Sequence, residues 1–168
     1  MKKILAALSI LFFAIQANAK ISLYEQYENW FSAKIEDEDP PVSILSSDKT
    51  KQSSFLITFF KNEELDTLTH IIFRGIPLNF NKSAKNLVIP CSLTIDSNKF
   101  HSAVCEVTPY QSDFLINING LKMDRFLPEC ALGKNLNVTL DLENPINIQY
   151  SLAGFQKSYI RAIVLLEM

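Results

Sequence analysis

Apolar and polar side chains alternate along much of this chain. The clearest run is residues 135–142 (NLNVTLDL), in which every second side chain is apolar. A period of two is typical of a β-strand with one buried face and one solvated face. Residues 113–118 (DFLINI) repeat the pattern, whereas residues 53–60 (SSFLITFF) are mostly apolar at consecutive positions. This last run predicts a central strand, or a strand that another element covers.

Short polar clusters such as EDEDPP, SSDKTKQ and ENP separate further candidate strands. These strands are expected at residues 29–35, 42–45, 70–74, 87–95, 101–107 and 146–150. Helix signals are few: we expect a short helix within 119–127, ended by Pro128, and a second helix over 155–166. Many short strands joined by polar turns predict an antiparallel β-sandwich or barrel with one or two short helices, one of them C-terminal.

Residues 21–31 (ISLYEQYENWF) fit two structures. Tyr24, Tyr27 and Phe31 fall at helical spacing, so a short amphipathic helix before the first strand is one interpretation. The aromatic residues of this region also suit strands, where their default role is core packing. The sequence leaves both structures open here.

The first nineteen residues have the pattern of a secretory signal peptide. Lys2 and Lys3 form a basic start, residues 4–15 are apolar, and residues 17–19 (ANA) form a small-x-small cleavage site. The apolar run is shorter than the ~20 residues of a membrane-spanning helix, which favours cleavage over an uncleaved anchor. We therefore predict cleavage between Ala19 and Lys20, with 1–19 as the signal peptide and 20–168 as one domain.

The charge balance narrows the classes of partner. The whole chain has 16 Lys and Arg against 18 Asp and Glu, and cleavage would remove two of the lysines, taking the formal net charge from −2 to −4. Nucleic-acid binding needs clustered basic charge, so this class of partner is excluded. No second apolar run reaches membrane-spanning length, so we expect no spanning segment after cleavage.

The three cysteines lie in the predicted mature part. Export implies an oxidising compartment, in which one disulfide is expected. Cys91 and Cys105 flank a polar turn, and a hairpin centred near Asn98 would make them face each other. Cys105 with Cys130 is the rival pair, and the cysteine left over would be a small buried hydrophobe.

The segment after the last candidate strand carries a family resemblance. Ser151, Leu152, Gly154 and Phe155, followed by an apolar tail, form the pattern S-L-x-G-F. This pattern resembles the C-terminal signature of the invasion-associated locus B family of small exported bacterial proteins. A Pro-Leu pair after a strand (Pro77 and Leu78), an early Trp30, Cys105 on the next hairpin and Gly133 also follow the family's order. The resemblance covers roughly residues 28–163, and it departs at Asn79, where the family has Gly, and at two missing cysteines.

The resemblance implies an immunoglobulin-like β-sandwich in the periplasm or at the cell surface. It also implies a role in the invasion of host cells, and the family has no attributed catalytic residues to transfer. Gly154 has its own physical reading: a strand that passes directly into a helix needs either a positive φ or a close backbone approach at that point.

No catalytic or metal-binding motif stands out. His70 and His101 are the only histidines, and neither starts a spaced metal-ligand pair. A zinc cluster of Cys91, His101 and Cys105 across a hairpin is incompatible with an oxidised cysteine pair. The acidic run 36–39 lacks the glycine turn and alternating spacing of a Ca²⁺ loop, and we interpret it as a solvated loop. We therefore predict no catalytic residues, no metal and no cofactor.

Two functions follow. The first is a non-enzymatic exported protein that acts through protein contacts, with a host cell or within the bacterial envelope. The alternative is a periplasmic accessory factor, such as a chaperone or secretion-system subunit, that captures a bacterial partner's strand at an exposed sheet edge. A small envelope enzyme is a third reading, which the missing motifs make the weakest.

Overall fold

The computed structural model describes residues 20–36, 42–47, 53–60, 67–73, 87–110 and 113–168. These residues form ten strands and two helices. The strands are β1 (Lys20–Tyr27), β2 (Trp30–Glu36), β3 (Val42–Ser47), β4 (Ser53–Phe59), β5 (Thr67–Phe73), β6 (Leu87–Ile95), β7 (Lys99–Tyr110), β8 (Asp113–Asn119), β9 (Asn135–Leu140) and β10 (Ile146–Ser151). The helices are α1 (Met123–Leu132) and α2 (Phe155–Glu167).

All the strands pair antiparallel in one continuous sheet, in the order β1-β2-β3-β4-β5-β8-β7-β6-β9-β10. The sheet folds over so that its last strand lies against β3. Tyr150 of β10 packs on Phe55 of β4 with ring centroids 5.4 Å apart, and its hydroxyl lies 2.8 Å from Ser53 Oγ. The result is a two-layer antiparallel β structure with two helices, which confirms the predicted fold class.

The alternating strands lie where the sequence places them. Leu136, Val138 and Leu140 of β9 are buried, and the residues between them are partly exposed. β4 is buried at all seven positions, as expected for a strand covered on both faces.

Residues 21–31 belong to a β-hairpin and not to a helix. β1 and β2 pair antiparallel around a turn at Glu28, which has a φ of 54°. The rings of Tyr24 and Phe31 stack 5.6 Å apart across this hairpin. Their apparent helical spacing therefore reflects a diagonal contact between two strands, and the helix interpretation is wrong.

Helix α1 continues through Pro128, which the sequence predicted to end it. A proline inside a helix removes one backbone hydrogen bond. The burial of Phe126, Leu127 and Cys130 on either side of it offsets this loss. Phe126 bridges the two layers, because its ring lies 6.3 Å from Phe55 on β4 and 5.2 Å from His101 on β7.

Helix α2 matches the predicted C-terminal helix and packs on β1, β2 and β3. Its buried side is formed by Phe155, Ser158, Ala162, Leu165 and Leu166. Within the described ranges, neither helix has the length and apolarity needed to cross a membrane.

Candidate functional site

The residues that carry the family resemblance lie where β10 passes into α2. We call residues 151–155 the C-terminal junction. It contacts the turn between β1 and β2 through three hydrogen bonds: Asn29 Nδ2 donates to Ser151 Oγ (3.0 Å), Trp30 Nε1 donates to the Ser151 carbonyl (2.7 Å), and the Asn29 backbone N–H donates to the Ala153 carbonyl (3.3 Å). The two partners are more than 120 positions apart in the chain, so this contact joins its two ends.

Gly154 is required by this contact in two ways. Its φ is +90°, a left-handed conformation that residues with a Cβ rarely adopt. A Cβ at this position would also lie 1.8 Å from the Tyr27 carbonyl oxygen, far inside contact distance. The positive φ and the close approach expected from the sequence are therefore both present.

The apolar members of the junction complete the core. Phe155 is fully buried and meets the Trp30 ring edge to face, with centroids 4.7 Å apart. Leu152 is buried, and its backbone N–H donates to the Lys134 carbonyl at 2.8 Å. The side chains of Phe155 and Leu152 therefore help to close the fold at the junction.

Only some of the other predicted site residues lie in the part of the chain that the structure describes. Pro77, Leu78 and Ala19 lie outside the described residues. Lys20, the residue after the expected cleavage point, is the first residue of β1. The cleavage site stays a prediction.

Cys91 on β6 and Cys105 on β7 are buried on the inner face of one hairpin. The hairpin is centred on Ser97 and not on Asn98, since Ile95 pairs with Lys99. The two cysteines are therefore diagonal neighbours, because Cys91 is opposite Ala103 and Cys105 is opposite Ile89.

Both cysteines of this pair are free in the structure. A hydrogen bond between the two thiols lowers the pKa of Cys91, and together with burial it raises the pKa of Cys105. Cys130 on α1 is also a free thiol, and burial raises its pKa. The expected disulfide between Cys91 and Cys105, like its rival, stays a prediction.

His101 belongs to a polar chain that the sequence did not reveal. The ring is buried on the inner face of β7, and its Nε2 lies 2.9 Å from Glu129 Oε2. Arg125 Nε donates to Glu129 Oε1 at 2.8 Å. Arg125 is the main reason that the pKa of Glu129 is lowered, and His101 contributes further. This chain fixes α1 to the inner face of the sheet.

The chain His101–Glu129 has the form of a base with its orienting carboxylate, but a nucleophile would be needed for covalent catalysis. The partner that the structure gives the His101 ring is the Glu129 carboxylate, which is not a nucleophile of that kind. His70 is on the β5–β8 pair, where its Nδ1 lies 2.7 Å from Asn117 Oδ1, and burial lowers its pKa. Each histidine thus holds two elements together.

Within the described residues, no group of three or more His, Cys, Asp or Glu side chains could hold a metal ion. His101, one member of the hypothetical zinc cluster, has its Nε2 2.9 Å from Glu129 Oε2. Residues 37–39 of the acidic run lie outside the described residues.

Asp96 is a further residue whose role the sequence reasoning missed. Its carboxylate accepts hydrogen bonds from the backbone N–H groups of Lys134 (3.0 Å) and Asn135 (2.9 Å). This contact ties the β6–β7 turn to the link between α1 and β9. An aspartate in a polar turn is a signal for such backbone capping, although it does not name the distant partner.

These features define a class: a two-layer antiparallel β protein closed by a C-terminal helix. No family model matches the sequence, and no curated protein matches it. Among solved structures, the fold is similar to the crystal structure of invasion associated protein b from Bartonella henselae, with a TM-score of 0.63 and 15% sequence identity. The match covers 88% of this chain and 100% of that one. The resemblance seen in the sequence is thus confirmed at the level of the fold.

Proposed function

We propose that this protein is exported and acts without catalysis, through protein contacts in host-cell interaction or in the envelope. The observation that carries the proposal is the fold match along the whole of a protein whose name associates it with invasion. The signal-peptide pattern of residues 1–19 supports export. A periplasmic or surface location is part of the proposal.

The chemistry of the described residues supports a role without catalysis. His70 and His101 each bond to a side chain on a neighbouring element. Ser151 of the C-terminal junction accepts hydrogen bonds from Asn29 and Trp30, near the start of β2. These contacts stabilise the fold, and a protein that acts through its surface depends on a stable fold.

Deletion of the gene, followed by complementation, tests this function. We expect the deletion to reduce host-cell invasion or envelope integrity, and wild-type protein to restore it. Variants His70→Gln and His101→Gln, checked by circular dichroism for folding, are expected to restore it as well. A substrate turnover in the purified protein that is lost in a folded histidine variant would overturn the proposal.

A second candidate is the periplasmic accessory factor that binds a partner strand. The topology favours it, because among the strands that the structure describes β1 and β10 are the two edges of the sheet, and each pairs with one neighbour. Unpaired backbone groups at an edge can take up an added strand.

Affinity purification from envelope extracts separates the two candidates. A stable bacterial partner would favour the accessory factor, and binding to host cells without one would favour the first candidate. Asn147→Lys places a charge at an exposed position of the edge strand β10, and Asn119→Lys is its matched control at an exposed position of β8 inside the sheet. Capture by strand addition at β10 requires the first variant to lose the partner and the second to keep it.

A further inference from the structure

The outward side of α2 carries an apolar stripe. Ile160, Val164 and Met168 are 56%, 41% and 72% exposed. They are four positions apart, so they lie in one row along the helix. The opposite side of α2 is buried on the sheet, so this row is a second apolar surface on the same helix.

Two charges lie at the ends of this stripe, and each is at the unfavourable end of the helix. Lys157 is in the first turn and Glu167 in the last, and both are exposed. A helix favours negative charge at its N-terminus and positive charge at its C-terminus. Neither side chain forms an ion pair with another described residue.

We propose that α2 pairs antiparallel with α2 of a second copy of this chain. Positions 157, 160, 164 and 167 have the three-four-three spacing of a helix-pairing seam. In an antiparallel pair with its twofold axis near Ala162, Ile160 lies opposite Val164 of the second copy. The same register places Lys157 opposite Glu167, so apolar contacts form the centre and ion pairs form both ends.

The pairing also removes the unfavourable placement of the charges. In an antiparallel pair, Lys157 approaches the negative C-terminal end of the second helix, and Glu167 approaches the positive N-terminal end. The same patch serves on both copies, as a twofold-symmetric interface requires.

A second copy fits this surface better than a lipid surface does. Interfacial helices are rich in Lys and Arg on their polar side. Of the two cations on α2, Arg161 is already held by Glu25 at 2.7 Å. Three apolar side chains per copy form an interface below the ~800 Å² per partner of a standard complex, so the dimer is weak and forms with rising concentration. This inference is independent of the proposed function.

Sedimentation velocity over a concentration series tests the pairing, with protein purified from cells that express the full sequence. We expect a monomer–dimer equilibrium for the wild type. Ile160→Glu and Val164→Glu should remain monomeric, whereas Phe100→Glu should dimerise as the wild type does. Phe100 is the matched control because it is 59% exposed and lies on β7, away from α2.

Charge exchange provides the sharper test. Lys157→Glu and Glu167→Lys should each weaken the dimer about tenfold, because two ion pairs are lost and like charges meet. A mixture of the two single variants should form a heterodimer. The double variant should dimerise more tightly than either single variant because its ion pairs are restored, but less tightly than the wild type because each charge now meets the unfavourable end of the second helix. A wild type that stays monomeric, binding of α2 to vesicles without dimerisation, or a double variant no better than the single ones would overturn the proposal.

Discussion

Gly154 and Tyr27 bring the two ends of the described chain into direct backbone contact. A Cβ on Gly154 would lie 1.8 Å from the Tyr27 carbonyl oxygen, which only a glycine avoids. Trp30 adds a hydrogen bond to the Ser151 carbonyl and an aromatic contact with Phe155. Packing and backbone geometry therefore explain the individual residues of the S-L-x-G-F motif.

Gly154→Ala and Gly120→Ala form a matched pair that isolates this contact. Both glycines have a positive φ (+90° and +84°), but nothing lies within 4 Å of a Cβ on Gly120. Each alanine should cost about 1–2 kcal/mol for the backbone conformation. Gly154→Ala should lose about 1–3 kcal/mol more through overpacking against Tyr27. Urea unfolding measures both, and equal losses would contradict the role of the contact.

His70 gives a prediction about pH. Burial lowers the pKa of its ring in the folded state, so protonation favours the unfolded state. Its contribution to the free energy of unfolding is complete above the ordinary value of 6.5 and is lost as the pH falls below it. His70→Gln should therefore flatten the decline in stability between neutral and mildly acidic pH. Urea titrations at several pH values measure this slope, and an unchanged slope in the variant would refute the assignment.

At the scale of elements, α1 is held to the sheet by a polar contact as well as by its buried apolar side, because Glu129 links it to His101 on β7. Arg125 first, and His101 after it, hold the pKa of Glu129 below its ordinary 4.5. The stability from this carboxylate is thus present above 4.5 and is lost as the pH falls through the lowered pKa.

Glu129→Gln should lower the thermal midpoint at neutral pH, because it removes the charge that both partners bind. The difference from the wild type should shrink in acid, where the wild-type carboxyl is protonated as well. Arg125→Ala is the matched control, since it removes an exposed partner and leaves the His101 contact. A larger loss in Arg125→Ala than in Glu129→Gln would contradict the proposed docking of α1.

Elements with a local signal were predictable. The period of two in β9 and the apolar run of β4 gave their strands, and helical spacing gave α2. Pro128 was misread because tertiary burial of its neighbours outweighs a local helix breaker. The hairpin centre shifted by one residue because Asp96 and Ser97 adopt positive φ values of 49° and 64° in the turn. Asp96 also bonds to Lys134, a distant partner that no local pattern contains.

For the whole molecule, the order of the strands was beyond the sequence. The pairing of β5 with β8 and of β6 with β9 depends on contacts between distant segments, whereas periodicity reports only local structure. For the same reason, the sequence revealed only part of the candidate site. The motif located Gly154 and Phe155, but their partners Tyr27 and Trp30 became visible only in the folded chain.

Export is the claim on which the proposed function depends, and the intact mass of the protein from fractionated cells tests it most directly. The thiols are blocked before lysis, so that the same spectrum, with and without reductant, also reports any cysteine pair. We expect the periplasmic or secreted fraction to contain a chain that begins at Lys20 and carries one disulfide. A chain that still begins at Met1 and is recovered from the cytosol would contradict the account.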